Sequence, residues 1–180
     1  FTGVSLASLL SDSERPSSVP VDANALAVSV TMWEYPLADA DAVAVAELAW
    51  GHILNADRRI ADAAAEIRSG KWRKKEYSIA SGIKGRTLGV IGCGAIGLEM
   101  IRRAKAFDMH VCAFDPMLTE ARAADLGIRR CDSAVEAASL SHVLTVHIAL
   151  NKSTRGIIGE AIFDALRPGA IFVNTSRGRS

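Results

Sequence analysis

Apolar side chains return at steps of three, four or seven from Val43 through Ala46, Trp50, Ile53, Ile60 and Ala64 to Ile67. That period puts them on one face of a helix. Asp39 and Asp41 suit its N-terminus, and Ser69-Gly70 suits its end. The spacing predicts one helix over 43–68, with Asp57, Arg58, Asp62 and Glu66 on the opposite face. At 1.5 Å per residue it would span about 39 Å, long enough to join domains or pack against a second subunit. Upstream, residues 26–33 carry β-branched side chains and read as a strand, while Ser-rich residues 1–20, with Pro16 and Pro20, read as an irregular lead-in. Downstream, the basic stretch 71–78 reads as a solvated loop.

From Thr87 the pattern changes. Short apolar runs at 87–92, 110–114, near Ile128, at 142–148 and at 170–175 alternate with helical segments at 96–107, 119–127, 133–138 and 159–166. Apolar strands alternating with helices predict an α/β fold, a doubly wound parallel sheet with helices on both faces.

Composition narrows the function. With 21 Lys+Arg against 20 Asp+Glu and 49% hydrophobic residues, the chain is neither disordered nor broadly basic, which argues against a nucleic-acid binder. No apolar run reaches the roughly 18 residues of a membrane span. The first residues lack the basic region of a signal peptide. Cys93, Cys112 and Cys131 form no disulfide framework or C-x-x-C pair and read as reduced thiols of a cytoplasmic protein. No metal-ligand spacing stands out.

Gly92-Cys-Gly-Ala-Ile-Gly97 is a G-x-G-x-x-G that leaves a predicted strand and opens a predicted helix. In that setting the first glycine makes the tight turn, Gly94 leaves room for a pyrophosphate, and Gly97 lets the helix pack on the strand. The backbone of Ala95 and Ile96 lies at the helix N-terminus, where N–H groups attract phosphate. Asp115 ends the next strand, 23 positions after Gly92. A carboxylate there suits ribose hydroxyls and repels a 2′-phosphate, so the expected cofactor is NAD. Together these features describe a Rossmann-type domain.

Several further segments, in order, resemble the D-isomer-specific 2-hydroxyacid dehydrogenase family. VAELAWGHILNADRRI is similar to the family's long helix ahead of its cofactor domain. GKWRKKEYSIASGIKGRTLGVIGCGAIG resembles its G-x-W and glycine-loop run. HIALNKSTRGIIG resembles its H-x-P-L segment, and LRPGAIFVNTSRG its N-x-x-R-G signature. The W-x-K-K-E-Y wording is similar to the 3-phosphoglycerate dehydrogenase branch. The resemblance implies that Arg177 is the catalytic arginine, holding the carboxylate of a small 2-hydroxy or 2-oxo acid substrate. A guanidinium fork after a sheet strand is suited to that task. It also implies that His147, Ile148, Thr175 and Ser176 line the cofactor. The expected division is a remnant of a substrate domain at 1–42 and a NAD-binding domain over 43–180, with the acid/base histidine and its acidic partner beyond Ser180. The 180-residue chain is accordingly expected to be inactive alone, and the long helix suggests a homodimer.

Departures from the family pattern are Ala149 for proline, His142 for an aspartate, Ala95 for a polar residue, and Asp108 where a glycine often ends the helix. None removes a group assigned to chemistry. The rival expectations are a NAD-sensing corepressor-like binding protein and a formate or phosphite dehydrogenase of the same fold.

Overall fold

The computed structural model describes residues 26–29, 40–149, 151–152 and 154–175, with the backbone alone described at 26–29, 40 and 41. The elements run in chain order as β1 (Leu26–Ser29), α1 (Ala40–Arg58), α2 (Ile60–Arg68), α3 (Lys74–Tyr77), β2 (Thr87–Ile91), α4 (Ala95–Ala106), β3 (His110–Phe114), α5 (Glu120–Leu126), β4 (Arg129–Arg130), α6 (Ala134–Leu140), β5 (Val143–Val146), α7 (Glu160–Ala165) and β6 (Ile171–Asn174).

All six strands are parallel, in the order β4-β3-β2-β5-β6-β1. Strands β2 to β6 follow the doubly wound 3-2-1-4-5 order, and β1, from upstream of α1, pairs with β6 in the next position. Side chains alternate between two buried faces. Leu88, Val90, Val143, Ile171 and Val173 pack toward α1 and α4, while Ile91, Leu144, Val146 and Phe172 pack toward α6 and α7. This double burial explains why the strands read as continuous apolar runs. Gly89 marks the tightest helix approach on the second face: a Cβ there would lie 1.9 Å from Ser141 Oγ and 3.1 Å from Ala137 O.

Local signals set most boundaries. Thr119 caps α5 by accepting from Arg122 N, and Gly127 ends it in the left-handed region. Ser133 caps α6 by accepting from Glu136 N, while Glu136 accepts in return from Asp132 N. Asp108 ends α4 with φ 56°, in the conformation that the usual glycine at this place would take without strain.

The single helix expected over 43–68 is two. Arg59 adopts φ 53° and ψ 44°, breaking the helix between α1 and α2. Asn55 stabilises the break locally, its side-chain oxygen accepting from Ala61 N at 2.7 Å. The apolar stripe divides at the same point. Ala46, Trp50 and Ile53 join the core with Val45 and Ala49, whereas Ile60 and Ile67 stay more than half exposed and α2 buries no residue. Trp50 stacks on Phe107 with ring centroids 4.9 Å apart. Burying the three large side chains of α1 contributes about 1.5–3 kcal/mol each, which secures α1 but not α2. Asp57 also departs from its expected solvent face. Its carboxylate is 5% exposed, 3.5 Å from Arg86, and accepts from Gly82 N, tying α1 to the loop before β2. Within the basic stretch, residues 74–77 form the short helix α3 instead of a loop. The outer part of the expected 26–33 strand, from residue 30, lies outside the described residues.

Candidate functional site

The carboxyl ends of the parallel strands carry the candidate site, the edge at which open α/β sheets bind ligands. At the end of β2 the chain turns through Gly92 at φ 95°, and its amide donates to Phe114 O at the end of β3. A Cβ on Gly92 would lie 2.6 Å from His147 O and 3.0 Å from a methyl of Ile148. A Cβ on Gly97 would lie 2.1 Å from Gly92 O, so α4 begins in direct contact with the turn. Gly94 is different: a Cβ there meets nothing within 4 Å. It is exposed and precedes α4 without any side-chain cap, and the first turn of α4 contains no acidic residue. Ala95 is exposed at that turn, while Ile96 is partly buried against the core. The result is an open cradle over a helix N-terminus that favours negative charge. It fits the diphosphate of a dinucleotide.

Asp115 stands beside the cradle, just past β3. Its carboxylate accepts from Cys93 N at 2.7 Å and from Met117 N at 2.8 Å. These two bonds hold the side chain in one orientation and link it to the glycine turn. Each carboxylate oxygen keeps a second acceptor site suited to a hydroxyl donor. Burial, with the nearby Asp115 charge, pushes the Cys93 thiol up to about 12. The thiol stays protonated and is no nucleophile at neutral pH.

His147 follows β5 at the same edge. Its amide donates to Ile91 O at 2.8 Å. Its Nε2 lies 2.8 Å from Thr145 Oγ1, and its Nδ1 lies 3.5 Å from Thr175 Oγ1. Burial pushes the imidazole down to about 4, so it is neutral at physiological pH. Thr145 and Thr175 are both buried, and Ile148 packs on the α6–α7 side of the sheet. Ser176 and Arg177 lie outside the described residues.

The structure therefore gathers Gly92, Gly94, Ala95, Ile96, Gly97, Asp115, His147, Ile148 and Thr175 along one sheet edge. The Cys93–Asp115 bond and the Thr145–His147–Thr175 chain were not foreseen. Their partners come from separate strands, and no local motif joins them; the only sequence signal is polar residues inside otherwise apolar strand ends. A second cleft, lined by Lys105, Met109, His110 and Arg129, opens near the amino end of β3 and away from the cradle. Among the described residues no group of three or more His, Cys, Asp or Glu could hold a metal ion.

Residues 50–180 match the NAD-binding domain of the D-isomer specific 2-hydroxyacid dehydrogenases. The D-3-phosphoglycerate dehydrogenase of Archaeoglobus fulgidus is 38% identical over 136 residues, covering 76% of this chain and 25% of that protein. The hydroxypyruvate reductase of Thermotoga maritima is 40% identical over 139 residues, covering 77% of this chain and 44% of that protein. Among solved structures, the apo D-lactate dehydrogenase of Escherichia coli aligns with TM-score 0.71 at 36% identity, covering 77% of this chain and 43% of that one. The chain thus spans between a quarter and less than half of the length of these relatives.

Proposed function

The chain belongs to the D-isomer-specific 2-hydroxyacid dehydrogenase family and carries its NAD-binding domain, and on that premise we propose that the whole protein interconverts a D-2-hydroxy acid and its 2-oxo acid. The observation that carries the reading is the cradle: Gly92 in a tight turn only glycine fits, Gly97 touching it, Gly94 open, and Asp115 locked beside them. Bound NAD supplies the hydride acceptor. The residues of this chain bind and orient it. The α4 N-terminus at Ala95 and Ile96 attracts the diphosphate, and Asp115 takes the adenosine ribose hydroxyls. His147, Ile148, Thr175 and Ser176 form the wall toward the nicotinamide.

Arg177 takes the catalytic role, gripping the substrate carboxylate and drawing charge toward the C2 oxygen. The substrate is a small 2-oxo or 2-hydroxy acid. The relatives named above act on phosphoglycerate, hydroxypyruvate and lactate, and this shared carboxylate chemistry supports the assignment. The cofactor domain takes in 43–180 together with β1, which pairs with β6 in its sheet, and the start of α1 at Ala40; the residues before β1 belong with a substrate domain.

The protein works as a homodimer in the cytoplasm. Exposed Ile60, Ile67 and Trp72, on and after α2, support a subunit contact. The unpaired Cys112 and Cys131 thiols fit a reducing compartment. Among the described residues no helix is long and apolar enough to cross a membrane.

The test is NADH formation by the full-length protein, followed at 340 nm with a panel of D- and L-2-hydroxy acids. Turnover of a D-acid, lost on Arg177→Lys because the bidentate fork is gone, is the expected result. No turnover of any 2-hydroxy acid would overturn the activity. Light scattering tests the dimer, with a monomer counting against it.

A further inference from the structure

Asp115 opens the turn between β3 and α5, and the turn is held from outside itself. Leu118 N donates to Asp115 O at 3.0 Å and closes it, while Met117 N donates to the Asp115 carboxylate. Of residues 116–119 only Leu118 is buried, packed in the core near Val111, Ala113 and Ala123. Pro116, Met117 and Thr119 face solvent. The Leu118 carbonyl accepts from Arg130 Nε at 3.0 Å, a donor that lies 12 positions on in the sequence.

Arg130 ends β4, the strand at the edge of the sheet. It pairs with Ala113 of β3, so its side chain leaves the sheet on the face that carries Val111 and Leu118. The next amide, that of Cys131, donates to Ala113 O at 2.8 Å and fixes the backbone there. The far end of the guanidinium meets Glu120 and Asp132, whose side chains are 80% and 85% exposed. Such screened pairs contribute little. The bond that reaches the site is the one from Nε to the turn.

We propose that Arg130 is a positioning residue for cofactor choice: by clamping the Leu118 carbonyl it holds the turn that aims the Asp115 carboxylate at the ribose hydroxyls. This rests on the reading that Asp115 takes the adenosine ribose, and adds a residue outside the cradle that makes the reading work. Hydrogen bonds to hydroxyls are short and directional, so a slack turn weakens NADH. Repulsion of a 2′-phosphate falls off slowly with distance, so the same slackness changes NADPH much less. The preference for NADH therefore narrows when the clamp is cut. A bare charge effect runs the other way: losing a cation costs the more negative NADPH more than NADH, and the preference widens.

The test is calorimetric titration of the full-length protein with NADH and NADPH, in Arg130→Met, Arg130→Gln, Asp115→Ala and the double variant Arg130→Met/Asp115→Ala. Glutamine carries its amide nitrogen on Cδ, where arginine carries Nε, so it keeps the donor without the charge. Methionine keeps neither. The expected result for Arg130→Met is an NADH Kd raised at least about threefold with the NADPH Kd changed less than twofold. Arg130→Gln should stay within about 1.5-fold of wild type for both. On the Asp115→Ala background, Arg130→Met should change the NADH Kd less than 1.5-fold, because the carboxylate it positions is gone. Unchanged NADH affinity in Arg130→Met, an equal loss in Arg130→Gln, a larger loss for NADPH, or an undiminished loss on the Asp115→Ala background would each overturn the positioning role. Unchanged NADH affinity in Asp115→Ala would instead overturn the ribose reading, and this inference with it. Arg130→Thr, whose side chain suits an edge strand and is too short to reach Leu118 O, gives the same readout if Arg130→Met folds poorly.

Discussion

Gly94 and Gly97 lie three residues apart in one motif, yet the structure assigns them opposite failures. At Gly97 an added methyl would sit 2.1 Å from Gly92 O. That is about 1 Å inside van der Waals contact, and the obstacle is backbone. Relief requires α4 to shift off the β2 turn, carrying Met100, Ile101 and Ala104 out of their core positions. Overpacking of this kind costs about 1–3 kcal/mol even where side chains can yield, so about 3 kcal/mol is expected here. At 2–4 °C per kcal/mol for a chain of this size, Gly97→Ala should lower Tm by roughly 6–12 °C. At Gly94 a methyl meets open space, and φ −69° with ψ −166° is accessible to any residue. The folding cost of Gly94→Ala is the weaker helix cap alone, below about 1 kcal/mol. Its methyl instead projects into the room that a diphosphate needs, so NADH should bind at least about tenfold more weakly, or 1.4 kcal/mol. Differential scanning calorimetry and NADH titration of both variants measure the two quantities. A Gly97→Ala protein as stable as wild type, or a Gly94→Ala protein with unchanged NADH affinity, would refute the reasoning.

Further perturbations separate the other elements of the account. Asp115→Ala removes the acceptor for the Cys93 and Met117 amides and should weaken NADH by tenfold or more while changing NADPH far less; equal losses in paired titrations would sink the ribose role. Asp108→Gly relieves a left-handed residue worth about 1–2 kcal/mol and gives up only an exposed pair with Lys84, so Tm should rise by about 2 °C or more, and a fall would contradict the strain. His147 is held near 4 against an ordinary 6.5. The unfolded chain therefore binds a proton as pH falls through 6.5, while the folded chain does not until about pH 4. Stability is complete above pH 7.5 and should be lower by about 1–2 kcal/mol at pH 5. Burial by the sheet, with Arg167 and Arg86 nearby, depresses His142 as well and adds to the same acid-side loss. Urea midpoints at both pH values read the loss, and His147→Asn should flatten it; an unchanged slope would rule out a neutral buried ring.

The strands and α4 were legible because their signals are local. Apolar runs bounded by Gly92, Gly127 and the Pro168-Gly169 turn leave few alternatives; β1, β2, β3, β5 and β6 lie within their expected ranges, and β4 lies just after Ile128. The strain at Asp108 was legible for the same reason, since a helix end wants a left-handed residue. The break at Arg59 was not. No Gly or Pro marks it, and the apolar period continues across it. It rests on an Asn55 side chain reaching six residues ahead and on a core that holds α1 but not α2. Asp57 misled in the same way, because its partners Gly82 and Arg86 lie 25 or more positions on, and helical spacing alone placed it in solvent. At the site, the glycine pattern and Asp115 could be read from spacing, whereas the bonds that orient Asp115 and His147 depend on strand order.

The central claim is that the glycine cradle and Asp115 form a site for NAD in preference to NADP. Calorimetric titration of the protein with NADH and with NADPH under identical conditions tests it most directly. The account predicts one saturable NADH site per chain and an NADPH affinity at least about tenfold weaker, or 1.4 kcal/mol. Tighter binding of NADPH, or no NADH binding by a folded protein, would contradict it.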